Sequence, residues 1–269
     1  MSGVQLGISV SDYSPLRGHT HPAVYDLVDY IEYGGFAPPG GDAEVSFART
    51  QKPSLGLGRH LVMTELPAAL DIPSEARRIV ADVKDTTPLY YLTDAEFWHL
   101  GGYEANNIWV RPCSFSQSSC ETIAVNCAAL EQVLGMPILV ENPAIIAIDS
   151  EITIATFFRL VADSGAHLCM DIGHFWAYCR NNGLDVNKEL DALPFNAFRV
   201  AHIAGLSRIS YCGREFFIDN HDVPPTADCL DILAAFLNRA PEVQWVTYEA
   251  ELAATDVQIA GLLAIREIL

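Results

Sequence analysis

Short runs rich in β-branched and aromatic residues alternate along this chain with longer stretches whose apolar positions recur every three or four residues. The first pattern predicts strands and the second predicts amphipathic helices. Eight runs of the first kind occur, at 4–10, 28–33, 53–58, 88–93, 137–142, 166–171, 197–202 and 244–249. Helices are predicted from residue 73, where Ser74 is a candidate cap, and over 118–135, where Ser118 and Glu121 fit a capping box and Gly135 closes the last turn. Three more follow, at 150–165, 226–240 and 254–268, each beginning near Ser or Thr.

Eight strands alternating with helices over about 250 residues is the count of a (β/α)8 barrel, in which every strand is central and apolar on both faces. The competing arrangement, a doubly wound open sheet, wants a glycine-rich phosphate turn after an early strand. The only candidate, G-L-G-R-H at 56–60, lacks the third glycine and the acidic residue beyond it. The expected fold class is therefore α/β, a single TIM-barrel domain over residues 1–269.

Composition sharpens this without changing it. Half the residues are hydrophobic and 10% are aromatic, enough to build a core, and no polar linker divides the chain. The net charge of −18 repels phosphate backbones and anionic membranes, so no nucleic-acid or membrane partner is expected. The longest apolar stretch, 138–158, is broken by Glu141, Asn142, Asp149 and Glu151, and the N-terminus lacks the basic start and apolar block of a signal peptide; a cytoplasmic protein is expected. Seven cysteines with no C-x-x-C pair argue against disulfides. Cys113, Cys120 and Cys127, spaced by seven, read as small residues on one buried helical face.

The predicted strands end in chemistry. Glu141, Asp171 with His174 three residues on, His202 and Glu249 each sit at or just beyond the C-terminal end of a run, where barrel active sites are assembled from different strands. Acidic groups converging on one mouth repel one another unless a cation holds them. Asp219 and His221, two apart, share a side in an extended segment and add two donors. Four carboxylates and three imidazoles are too many for one ion, and their mixed O/N character suits iron, manganese or zinc.

The order L-V-E-N at 139–142, L-C-M-D-I-G-H with N-N-G-L-D at 168–185, A-H-I-A-G at 201–205, I-D-N-H-D at 218–222 and T-Y-E at 247–249 resembles the multinuclear non-haem iron-dependent oxidases, the family of the methanobactin-biosynthesis oxidase. G-I-S at 7–9 and D-Y-I-E-Y at 29–33 extend the resemblance through the N-terminal half. It implies a TIM barrel holding two or three irons, with O2 as co-substrate, that modifies a residue, often cysteine, of a ribosomally made precursor peptide, sometimes with a partner protein that presents the peptide. By resemblance, Glu141 bridges a first and a second metal, Asp171, His202 and Glu249 complete the second, and His174, Asp219 and His221 form a third site. The three-metal site of the endonuclease IV barrels is similar, but the acidic charge argues against DNA.

Two departures bear on the metal count. The family carries a histidine near the G-x-G of the third strand and another in an S-D-H triplet ending the fourth; the corresponding positions here read as Leu55 or Gly56, and Ala95. His60 and His99 lie four or five residues away, a displacement larger than a coordination bond tolerates, so a dinuclear rather than trinuclear site is expected. His19 and His21 are expected to serve surface or capping roles, and His167 to pack within the sheet. Phe175, Trp176 and Tyr178 fit either a pocket wall or the helix layer. The alternatives to an oxidase are a divalent-metal hydrolase or sugar isomerase on the same barrel, and a non-catalytic peptide-binding barrel.

Overall fold

The computed structural model describes residues 3–11, 19–35, 38–84, 86–99, 108–143 and 150–269. In the first half the elements are β1 (Gln5–Val10), α1 (Pro22–Asp26), β2 (Tyr30–Tyr33), α2 (Ala43–Gln51), β3 (Gly56–His60), α3 (Ile72–Asp82), β4 (Tyr91–Asp94), β5 (Glu96–His99), β6 (Ile108–Pro112) and α4 (Gln117–Leu134). The second half comprises β7 (Ile138–Glu141), α5 (Ile154–Asp163), β8 (Leu168–Asp171), α6 (Ile172–Asn181), α7 (Val186–Asp191), β9 (Phe198–Ile203), β10 (Gly205–Tyr211), β11 (Arg214–Asn220), α8 (Ala227–Leu237), β12 (Trp245–Tyr248) and α9 (Thr255–Arg266).

Eight strands close a parallel barrel in the order β1-β2-β3-β4-β7-β8-β9-β12, with β12 pairing back onto β1. Each expected run overlaps one barrel strand, and the expected (β/α)8 fold is the observed one. Two antiparallel pairs lie outside the barrel. β5 and β6 form an arm between the fourth and fifth barrel strands; β10 and β11 form a hairpin after the seventh. None of the helices described is long and apolar enough to cross a membrane.

Helix starts follow from short polar side chains that accept backbone N–H groups. Asp42, Asp71, Ser116, Thr153, Asp171, Asp185 and Thr226 each cap a helix in this way, a contact worth about 1 kcal/mol. The caps at Asp71 and Ser116 replace the expected Ser74 and Ser118, while Gly135 ends α4 with φ +71° as its lack of Cβ allows. Cys120 and Cys127 lie on the buried face of α4, where burial pushes their thiols up to about 11 and about 12.

Alternation along each strand sends one set of side chains to the helix layer and the other into the barrel. Leu6, Ile8, Ile31, Val140, Met170 and Ile203 belong to the outer core, which continues through a chain of ring contacts: Phe115 on Phe157, Phe157 on Phe158, Phe158 on Phe198, Phe198 on Phe236. The inner set forms a separate buried cluster of Tyr30, Tyr90, Leu92, Leu139, Cys169 and Val200, with Trp245 at its edge. Tyr90 meets Tyr30 edge-on at 6.2 Å and Trp245 at 5.1 Å, so aromatic rings floor the barrel. Glycines make room for them. A Cβ on Gly58 would stand 2.6 Å from the Tyr90 ring, and one on Gly7 would collide with Tyr30.

Candidate metal centre

Above this floor the inner positions turn polar. Glu32 on β2, His60 on β3, Asp94 on β4, Glu141 on β7, Asp171 on β8, His202 on β9 and Glu249 just past β12 are each the last inward residue of their strand. Three side chains on the rim add more: His174 from the first turn of α6, Asp219 from β11, and His221 just beyond it. All seven sequence-predicted residues therefore gather at the C-terminal mouth of the barrel. They border a cavity of about 420 Å³ or lie directly beneath it. Among the described residues lining that cavity there is no Lys or Arg, against seven carboxylates.

The donors fall into overlapping groups. Glu141, Asp171, His202 and Glu249 each offer an atom within 4.8 Å of the others, as do His60, Asp94 and Glu141, and also Glu32, His60, His202 and Glu249. Glu141 thus joins two sets of neighbours. His221 Nε2 lies 2.6 Å from Asp219 Oδ2, and His174 Nε2 approaches the same oxygen at 3.8 Å, which makes Asp219 the meeting point of a further group.

Each imidazole is oriented by its other nitrogen. His174 Nδ1 is 2.9 Å from the Asn142 carbonyl, which can only accept, so Nδ1 donates and Nε2, on the side of Asp219, is the nitrogen left to hold a proton or a cation. His221 Nδ1 meets Glu251 Oε1 at 2.8 Å, and Glu251 in turn accepts from the Ser9 hydroxyl at 2.5 Å. His202 Nε2 meets Glu32 Oε2 at 2.9 Å, and Tyr90 donates to the same oxygen at 2.5 Å. His202 Nδ1 is left facing Glu141 Oε2 at 3.0 Å, close enough for an ion pair but not aligned as a hydrogen bond. Carboxylate or carbonyl partners of this kind fix histidine ligands around metals.

Several buried polar atoms at the mouth are left without a hydrogen bond, some of them meeting charged neighbours only as ion-pair contacts. Both oxygens of Glu141, Oδ2 of Asp171, Oδ1 of Asp219 and Nδ1 of His202 make no hydrogen bond. Leaving such atoms unsatisfied costs roughly 1–3 kcal/mol each, and more when charged, so their convergence fits a bound cation. Electrostatics agree. Burial lowers the pKa of His174, His202 and His221, yet the surrounding groups win, Cys169 and then carboxylates at His202 and carboxylates at the other two, and hold all three well above the usual imidazole range. Burial raises Glu249 well above its ordinary value and also raises Glu141, where Asp94 adds to the effect against His202. Without metal the cluster gathers protons in place of positive charge.

The third and fourth strands each bring a metal-ligating side-chain type to the mouth, at positions other than Leu55, Gly56 and Ala95. The G-x-G at 56–58 lies inside β3, not at its end, and alternation puts Gly56, Gly58 and His60 on one inner face. His60 Nε2 reaches Asp94 Oδ2 at 2.8 Å and its ring centre is 5.9 Å from that of His202. Ala95 faces the outer core, and Asp94 one residue earlier faces in. His99 lies on β5, away from the barrel, and its side chain is outside the described residues. Sequence reasoning also passed over Glu32 and Glu251. Their signals were present: Glu32 shares the inward phase of Tyr30, and Glu251 shares that of Glu249.

The remaining histidines and aromatics have structural roles. His21 caps α1; His19 stacks on Phe47 and pairs with Glu44; His167 is half-buried one residue before β8. Phe175, Trp176 and Tyr178 pack in the outer core and do not line the cavity.

A family model described as "RiPP precursor modification enzyme MbnB/TglH/ChrH" matches residues 74–269. The chain belongs to this family. Proteins of the MbnB/TglH/ChrH family are the ones its strand-end motifs resemble. A "UPF0276 protein" of Rhizorhabdus wittichii is 26% identical over 253 residues, 92% of this chain and 82% of the relative. Another, from Bordetella pertussis, is 31% identical over 156 residues, 56% of this chain and 48% of the relative. Among solved structures, D-allulose 3-epimerase from Methylomonas sp. superposes with a TM-score of 0.60 at 14% identity, covering 100% of this chain and 98% of the other. Endonuclease IV from Thermus thermophilus gives 0.53 at 17% identity, with 98% of each chain covered. At these identities the likeness concerns the barrel alone.

Proposed function

We propose that this MbnB/TglH/ChrH-family chain is an iron-dependent oxidase that uses O2 to modify a residue, cysteine foremost, of a ribosomally made precursor peptide. The observation that carries the reading is the set of buried atoms on Glu141, Asp171, Asp219 and His202 that make no hydrogen bond, converging at or beneath a cavity without a Lys or Arg among its described lining residues, in a chain of a precursor-modifying family. Asp171, His202 and Glu249 would hold one ion and His174, Asp219 and His221 a second. His60 and Asp94, which group with Glu141, would add a third position, and this supports a trinuclear reading over the dinuclear one expected from sequence. Bound iron would supply one-electron redox chemistry and a place for O2.

The chain's own residues would prepare that chemistry. Glu32, Glu251 and the Asn142 carbonyl hold three imidazoles in the tautomer that points a lone pair at the centre. Val10, Val62 and Trp98 give the cavity an apolar wall that limits water around a bound residue, and the buried, unpartnered indole N–H of Trp98 is a donor for a peptide carbonyl. The acidic rim suits a basic or neutral peptide segment, brought by itself or by a presenting partner protein.

The test is anaerobic purification with metal analysis, then incubation with the Cys-containing peptide encoded nearest the gene and mass spectrometry with and without O2. The expected result is bound iron and an O2-dependent mass change, both lost in His202→Ala. Product formed equally without O2, with zinc or manganese bound, would replace the oxidase reading by a hydrolase or isomerase one. Absence of metal would favour a non-catalytic peptide-binding barrel.

A further inference from the structure

Beneath the donor ring lies a group of a different kind. Cys169 occupies the inner face of β8 one layer below Asp171, opposite Glu141 in the β7–β8 ladder. It is fully buried, and its sulphur, a Glu141 oxygen and a His202 nitrogen all lie within 4.8 Å of one another. Among the described residues no other cysteine belongs to such a cluster; Cys113, Cys120, Cys127, Cys179 and Cys229 are buried elsewhere and Cys212 is exposed at the hairpin tip. The two groups that Cys169 faces carry atoms that make no hydrogen bond, both Glu141 oxygens and His202 Nδ1, in residues 1% and 0% exposed; Glu141 Oε2 and His202 Nδ1 meet only as an ion-pair contact at 3.0 Å. A thiol serving only to fill the floor would stand beside satisfied neighbours. This one stands at the boundary between the apolar floor and the ring of carboxylates and imidazoles.

Building on the metal-centre reading above, we propose that Cys169 is a thiolate ligand, reaching from the barrel floor to the ion held by Glu141 and His202. Coordination replaces its S–H bond by a sulphur–metal bond and releases the proton to buffer, with no change of oxidation state. The donor set of that ion then becomes S/N/O, where the strand ends alone read as N/O. A soft donor favours iron, cobalt and zinc over manganese and magnesium, so Cys169 biases the centre towards the ions that thiolates hold well.

The experiment uses the full chain, freed of metal and reloaded with Zn(II) or Co(II) under argon. X-ray absorption on the wild-type zinc protein is expected to show sulphur at about 2.3 Å besides N/O scatterers at about 2.0–2.2 Å, at one sulphur per chain. The cobalt protein should show a near-ultraviolet thiolate-to-metal charge-transfer band that persists in Cys179→Ala and disappears in Cys169→Ser. Zinc bound with N/O scatterers only, or a band that survives Cys169→Ser, overturns the proposal and leaves the metal centre standing. A wild-type chain that takes up no metal overturns both. The wild-type spectrum decides the matter even if the variants fail to fold.

Discussion

His60 shows how much rests on the phase of a single side chain. One residue forward or back along β3 it would face the helix layer; where it stands, it meets Asp94 at 2.8 Å and Glu32 at 3.6 Å. Burial opposes its protonation, but Asp94, Glu32 and Glu141 outweigh burial and hold the imidazole well above its ordinary pKa. His60→Ala or Asp94→Ala should therefore lower bound metal by about one equivalent per chain while His202-dependent metal remains. Metal counts by plasma mass spectrometry on folded protein check this, and unchanged content in both variants would reduce the centre to two ions. A buried histidine near glycines read from sequence as displaced, because Gly56 and Gly58 erase the alternation that would have revealed its direction. The Tyr30 and Tyr90 rings fill the space those glycines leave.

Among whole elements, the barrel strands were legible because central strands are apolar on both faces and end in polar residues that cannot be buried singly. Other elements were not. α6 is buried almost all round, so it carries no amphipathic stripe; α7 is six residues long; and the β5–β6 and β10–β11 pairs are excursions whose partners are each other, not the barrel. The β10–β11 pair nevertheless matters to the site, because it supplies the extended segment expected around Asp219 and His221 and brings Asp219 to His174. Strand β3 gives the sharpest element-scale test. Gly58→Ala would press a methyl into the Tyr90 ring, whose hydroxyl holds Glu32. The expected cost is about 1–3 kcal/mol, read as a lower unfolding midpoint of the metal-free protein. An unchanged midpoint would mean the ring yields freely and the floor is looser than drawn.

For the molecule as a whole, the acidic balance is concentrated where it is hardest to tolerate. Carboxylates from the barrel strands crowd one end, where imidazoles are the only cationic groups among the described lining residues, so bound ions should contribute to folding as well as chemistry. An ion present at a hundred times its dissociation constant stabilises the fold by about 2.7 kcal/mol. Chelation should accordingly lower the thermal midpoint, and restoring metal should raise it again. A midpoint indifferent to chelation in a protein that demonstrably binds metal would show that protonated imidazoles hold the ring together as well as the ions do.

The plug of Tyr30, Tyr90 and Trp245 fixes how matter travels through this enzyme. It makes the barrel a cup rather than a sleeve. A peptide brought to such a cup would dip a terminus or a bent loop over the lip and back out along the same path, rather than be drawn through from one side to the other.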